Sequence, residues 1–130
     1  MTQIEFEVPQ LPPTEYSPNS RCHWAQRHKA GKVYYDAVYY CALEAKQHLV
    51  DVWPIVNARL DLEFVFPHRR VRDLDNITAQ FKPGLDALVG AGLIEADDAE
   101  HLTIGNIKLD MHHSDTKTII KLSSLEEKGE

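Results

Sequence analysis

Apolar and polar residues alternate in four separate stretches of this chain. In QIEFEV (residues 3–8) Ile4, Phe6 and Val8 share one face, the pattern of a strand half-buried in a sheet. Leu60, Leu62, Phe64 and Phe66 alternate with Asp61, Glu63 and Val65, which predicts a second strand ended by Pro67. Two further alternating segments, about 102–110 and 116–122, read as an antiparallel hairpin around His112–Asp115.

Between these stretches the period changes to that of a helix. Tyr34, Val38, Cys41, Ala45 and Leu49 recur at three- and four-residue steps, so a helix is expected to start after Ser20, which can cap it, and to run to about Leu49. Gly31 can break or bend it and leave a short first helix over residues 21–30. Pro9, Pro12, Pro13 and Pro18 make the preceding segment an extended loop. Ile77, Phe81, Leu85 and Leu88 form one stripe of a second helix over residues 76–89, kinked or split at Pro83-Gly84. Residues 90–100 read as a loop. The order β-α-β-α-β-β predicts an α+β fold: one mixed sheet with two main helices, some parallel pairing across the helical crossovers, and a terminal hairpin.

Composition narrows the class. At 130 residues, 43% hydrophobic and 26% charged, the chain reads as one globular domain spanning residues 1–130, which excludes a disordered, collagen-like or coiled-coil protein. The acidic tail, about 123–130, is expected to be flexible. No apolar run is long enough to span a bilayer, and Met1-Thr2-Gln3-Ile4-Glu5 lacks the basic start and apolar stretch of a signal peptide, so no membrane association and a cytoplasmic location are expected. Cys22 and Cys41 would lie roughly 28 Å apart on one continuous helix and are read as reduced; no Cys/His spacing suggests zinc.

The net charge of -6 argues weakly against a polyanionic partner, but its distribution argues the other way. Half of the 14 lysines and arginines lie in two runs without an acid, RCHWAQRHKAGK (residues 21–32) and RRVR (residues 69–72). Local field decides where a polyanion docks, so Arg69, Arg70 and Arg72 are candidate phosphate contacts, with Arg21, His23, Arg27 and Lys29 as a second group. The plainer reading is a solvated helix end and a surface loop. Trp24, Tyr34, Tyr35, Tyr39 and Tyr40 could stack on bases, but most fit core or dimer contacts better. His68, His101, His112 and His113 lack ligand-like spacing and read as surface or packing residues.

Asp73, Asp75, Asn76, Asp97 and Asp98 carry the candidate chemistry. Asp73 and Asp75 are two apart just after a strand, and Asp97-Asp98 stands before the next one. A strand–helix–strand path that gathers these carboxylates at one end of the sheet would need a neutralising partner, and hard cations such as Mg²⁺ or Mn²⁺ prefer carboxylate oxygens. A calcium loop counted from Asp73 fails, because Ile77, Thr78 and Gly84 stand where its oxygen ligand, glycine and glutamate are required. The competing reading is structural: Asp75 or Asn76 caps a helix and Asp97-Asp98 makes a turn, with Asp97 in particular a turn residue. The adjoining arginines favour chemistry, since carboxylate-bound metal beside phosphate-binding arginines is what phosphodiester cleavage needs.

The run Arg69-Arg70-Val71-Arg72-Asp73-Leu74-Asp75-Asn76, followed by Lys82, Leu85-Asp86-Ala87-Leu88, Ala91-Gly92 and Asp97-Asp98, resembles the RusA family of Holliday-junction resolvases. Leu11-Pro12-Pro13 and Ser17-Pro18-Asn19-Ser20-Arg21-Cys22-His23-Trp24 are similar to prophage-type members, and the resemblance covers roughly residues 4–122. It implies a homodimeric, Mg²⁺-dependent endodeoxyribonuclease that cuts four-way DNA junctions symmetrically in recombination and repair. It also implies that Asp73, Asp75 and Asp98 are the essential, metal-holding carboxylates. Lys82 matches the family lysine counted from the Leu-Asp-Ala-Leu segment; counted from Asp75 it stands about three residues further on, close to one helical turn. On this reading Lys82 stabilises the transition state or orients the phosphate; alternatively it pairs with Asp86 at i,i+4. A non-catalytic nucleic-acid-binding module with a structural acidic cluster is the alternative function.

Overall fold

The structure, a computed structural model, describes residues 2–49, 53–111 and 115–125. Its elements are β1 (Gln3–Val8), a single 3-10 turn (Thr14–Tyr16), α1 (Trp24–Gln47), β2 (Ala58–Val65), α2 (Leu74–Gln80), α3 (Lys82–Gly90), β3 (Leu102–Asp110) and β4 (Lys117–Ser124). They build the expected α+β domain around one mixed four-stranded sheet, in the order β1-β4-β2-β3.

The expected hairpin does not form. β4 crosses β2 and inserts between β1 and β2, antiparallel to both, while β3 pairs in parallel with β2. The physical reason is burial. β4 carries Thr118, Ile120 and Leu122, all fully buried, and gains a covered central position. β3 is half-exposed along its length and stays at the edge. His112 and His113, in the expected turn, lie outside the described residues, as do residues 126–130 of the acidic tail.

Period-two alternation places Ile4, Phe6, Val8, Leu60, Leu62, Phe64, Ile120 and Leu122 on one face of the sheet, and all three helices pack there. α1 is continuous through Gly31 and is capped by His23, whose Nδ1 accepts from the Ala25 N–H at 3.1 Å, not by Ser20. Gly31 serves close approach: a Cβ there would meet the ring of Tyr16 from the 3-10 turn. α1 buries Tyr34, Val38 and Ala42 at four-residue steps.

The second helical stretch begins at Leu74 and splits at Phe81, before Pro83. Proline in the first turn of a new helix forfeits no hydrogen bond, so the break falls ahead of it. Phe81 turns into the core and meets Tyr34 and Phe64 edge-on, each at 6.1 Å between ring centres. After α3, Gly92 adopts φ +76°, and Leu93 N–H reaches back to the Leu88 carbonyl at 3.0 Å, a left-handed helix stop that turns Leu93 and Ile94 into the core.

One buried polar chain ties α1 to the sheet. The Thr118 hydroxyl donates to the Gln10 carbonyl at 2.7 Å. That uses its only hydrogen, so the Tyr34 hydroxyl donates to Thr118 Oγ1 at 2.9 Å. Burial drives the Tyr34 pKa far above its ordinary value, with the Thr118 bond opposing this in part. Among the described residues no helix is long and apolar enough to cross a membrane, and Cys22 and Cys41 are free thiols.

Candidate functional site

Pro67 follows β2, and residues 67–73 leave the end of this interior strand as an irregular loop. Within it the three arginines differ. The Arg72 guanidinium lies 3.7 Å from the centre of the Phe66 ring and donates to the His68 carbonyl at 3.4 Å. Its Nε is buried and unbonded among the described residues. Desolvation, and then the neighbouring Arg70 charge, lower the Arg72 pKa. Arg72 therefore packs the loop onto the domain. Arg69 and Arg70 are exposed, and Val71, which follows them, is 96% exposed, so this tip is presented to solvent.

Asp73 and Asp75 follow at the start of α2. Asp73 holds the cap position with extended backbone (φ -80°, ψ 126°), but its side chain makes no capping bond. It accepts instead from Asn76 Nδ2 at 3.3 Å, and Asp75 accepts from the Asn76 N–H at 3.0 Å. Both carboxylates are exposed. Asp73 lines an open hollow of about 610 Å³ with Leu11, Pro12, Phe66, Arg70 and Arg72. Asp75 faces the other flank of α2, beside Ile107 of β3.

Lys82 and Asp97-Asp98 are engaged elsewhere. Lys82 Nζ contacts Asp86 Oδ1 and Asp97 Oδ2, each at 2.8 Å. Both carboxylates, Asp86 first, hold the ammonium pKa above its usual value. The i,i+4 pairing is thus present, and Asp97 is an ion-pair partner as well as a turn residue. Asp98 Oδ1 accepts from the Glu100 N–H at 3.0 Å and the His101 N–H at 3.1 Å, and lies 2.7 Å from His101 Nδ1. That contact lowers the Asp98 pKa and raises that of His101. His101 is therefore a working partner of Asp98; its place three residues on, in an Asx-type turn, was the available signal.

Parallel pairing explains why these acids do not converge within the chain. Ala58 pairs with Leu102 and Val65 with Asp110, so β2 and β3 start at the same end. Asp73 lies past the finish of β2, whereas Asp98, whose carbonyl accepts from the Leu102 N–H at 2.9 Å, lies at the start of β3. The helical crossover through α2 and α3 returns the chain to the starting end. The expectation that strand, helix and strand would gather all the carboxylates at one end of the sheet is corrected accordingly. Among the described residues no three His, Cys, Asp or Glu side chains form a group that could hold a metal ion.

The α1 candidates also divide. His23 caps the helix. Arg27 donates to the Glu15 carbonyl at 2.9 Å and stacks 4.3 Å over the Tyr16 ring, so it pins the 3-10 turn. Arg21 and Lys29 are exposed, and Trp24, beside the His23 ring, is 75% exposed. Tyr34 is core, Tyr35 stacks on Tyr39, and Tyr40 faces solvent. Leu11 joins the two basic regions: it lines the hollow holding Arg70, Arg72 and Asp73, and also the groove on α1 lined by Lys29 and Val33.

On the opposite, helix-free face, Asp61 accepts from the Asn106 N–H at 2.7 Å and from Arg59 Nε at 3.2 Å. This satisfies a β-bulge, since Asp61 alone stands opposite the two residues Gly105 and Asn106. Sequence reasoning passed over this cluster, although a glycine inside a strand signals a bulge. No protein-family model matches the chain, and no curated protein does.

Proposed function

We propose that this chain is a Mg²⁺-dependent, structure-selective DNA endonuclease that resolves four-way junctions by phosphodiester hydrolysis, a cytoplasmic resolvase of the RusA type. One observation carries the reading: Arg70, Arg72 and the exposed carboxylate of Asp73 line one open hollow, and its Leu11 wall is shared with the Lys29 groove on α1. A phosphate backbone drawn to Arg69 and Arg70 is delivered beside Asp73, with Asp75 two residues further on at the start of α2.

Mg²⁺ is commonly held by one or two carboxylates, waters and substrate phosphate, so Asp73 and Asp75 suit it as donors, with Mn²⁺ the close substitute. A divalent ion bound there supplies water activation and charge neutralisation at the phosphate. The remaining work belongs to the chain. Arg69 and Arg70 orient the backbone, Arg72 and Phe66 hold the loop, and Asn76 fixes the Asp73 carboxylate. Lys82, held between Asp86 and Asp97, anchors the Asp97 turn to α3 and acts as a positioning residue.

A junction-nicking assay with Mg²⁺ and with chelator tests this. Asp75→Asn is expected to abolish nicking and leave junction binding intact; a variant that cuts as fast as the parent refutes the role of this carboxylate pair. The local engagement of Asp97 and Asp98 favours a second reading, a non-catalytic nucleic-acid-binding module. It requires salt-sensitive binding with no Mg²⁺-dependent cut.

A further inference from the structure

Residues 10–15 form a ridge between two hollows. Pro12 and Thr14 line the hollow of about 610 Å³ that holds Arg70 and Asp73. Gln10, Pro13 and Glu15 line the groove of about 500 Å³ on α1, and Leu11 borders both. Successive side chains facing opposite sides require extended backbone, which Pro13 adopts (φ -71°, ψ 134°). The ridge is tied down at both ends. The Thr118 hydroxyl holds the Gln10 carbonyl at 2.7 Å, and Arg27 holds the Glu15 carbonyl at 2.9 Å. Both hollows are therefore formed before anything binds.

Their linings share one chemistry. The walls are apolar: Leu11, Pro12 and Ile77 on one side of the ridge, Leu11, Pro13 and Val33 on the other. Each lining includes an exposed cation, Arg70 in one and Lys29 in the other. Each also includes a half-buried glutamine, Gln80 and Gln10, whose carboxamide makes no hydrogen bond among the described residues. Both volumes fall within the range of about 300–1,000 Å³ that takes a molecule as large as a nucleotide. Apolar platforms with spaced cations and unengaged amides suit an unpaired strand, whose bases offer a face and an edge while its phosphates meet the cations. A duplex cannot use these hollows, because its bases are stacked inside and its phosphates stand on a convex surface. The exposed tip at Arg69–Val71 suits that shape instead.

We propose that the two hollows take consecutive nucleotides of an unpaired DNA strand crossing the Leu11 ridge, so that the branches this chain favours carry a single-stranded arm. The inference rests on the nuclease reading for its substrate and goes beyond it in naming which branches are taken. The arm leaves the Asp73 hollow, passes over Leu11 and continues along α1 past Lys29 and Val33. Glu15, the acid of the groove, repels phosphate, which keeps the backbone on Lys29 and turns the base inward. There the Glu15 carboxylate accepts from the exocyclic amino group of a base.

Fluorescence anisotropy in chelator reads this recognition without any metal-dependent cut. The probes are a splayed-arm duplex and the same duplex with its arm strand paired. The splayed form is expected to bind about tenfold more tightly or better. Val33→Glu, at a position 52% exposed, is expected to erase that advantage and leave affinity for the paired duplex unchanged. Gln26→Glu, isosteric and exposed in the same groove, is expected to shrink it severalfold, and it decides the matter if Val33→Glu lowers the thermal midpoint. With 2-aminopurine placed in turn along the arm, emission is expected to change at two adjacent positions next to the branch. Equal affinity for splayed and paired forms overturns the track, as does an advantage that survives both variants at unchanged thermal midpoints. A parent that favours the arm and never cuts keeps the track and loses the nuclease reading. A parent that cuts paired junctions with no preference for an arm loses the track alone.

Discussion

Replacing Tyr34 and Thr118 singly and together tests the buried chain that ties α1 to the sheet. Tyr34→Phe removes one donor and leaves Thr118 Oγ1 still donating to Gln10, so a loss of about 1 kcal/mol is expected, the net worth of one neutral hydrogen bond. Thr118→Val keeps the shape but strands two groups, the Tyr34 hydroxyl and the Gln10 carbonyl. Tyr34 and Thr118 are both almost wholly buried, whereas Gln10 is half-buried, so a loss of roughly 2–3 kcal/mol is expected. With valine at 118, Tyr34→Phe removes a stranded donor and no longer costs a bond. The double variant is therefore expected to be no less stable than Thr118→Val, with a coupling of about 1–2 kcal/mol. Urea unfolding of the four proteins measures this, with thermal midpoints falling by about 3–5 °C per kcal/mol for a chain of this size. Losses that add to within about 0.3 kcal/mol would refute the Tyr34–Thr118 bond. The pH dependence supplies a second check. The folded pKa of Tyr34 is raised above its ordinary 10.0, so its stabilisation is fully present below pH 10 and is lost as pH climbs toward the folded value. Tyr34→Phe is expected to flatten that alkaline limb.

The sign reverses at Asp61. Burial pushes its pKa up, but the Asn106 N–H and Arg59, with Lys121 beside them, hold it below the ordinary 3.8, so its contribution is present above that value and fades as pH falls further. Asp61→Asn is expected to flatten the acid limb of a urea-stability profile; an unchanged limb refutes the assignment. His101 is expected to titrate above the ordinary histidine value in an NMR pH series, and Asp98→Ala to bring its midpoint down; an unmoved midpoint dissolves the pair. Arg70→Ala is expected to lower the salt dependence of DNA binding by about one unit of slope with no loss of stability. Arg72→Ala is expected to lower stability as well, by about 1 kcal/mol, because it uncovers Phe66; equal thermal midpoints for the two variants would refute the division of labour within the loop.

The elements themselves were legible along the chain, because alternation and helical stripes are local consequences of burying one face. β1 and β3 lie where the pattern of apolar residues predicts, and Tyr34, Val38, Ile77 and Phe81 point into the core as their stripes require. Pairing was not legible. Nothing near residues 102–124 distinguishes a hairpin from two strands separated by β2, since that choice depends on which strand can be covered on both sides. The same non-local decision governs the candidate site. The pattern of residues marked Arg69, Arg70, Asp73 and Asp75 as exposed and charged, and they are. It also marked Asp98 and Lys82, but not that Asp98 would bond His101 or that Lys82 would join Asp97 to Asp86. Identity and spacing belong to the sequence because they act over a few residues. Whether distant carboxylates share a pocket depends on the relative direction of two strands, and only the packed sheet decides that.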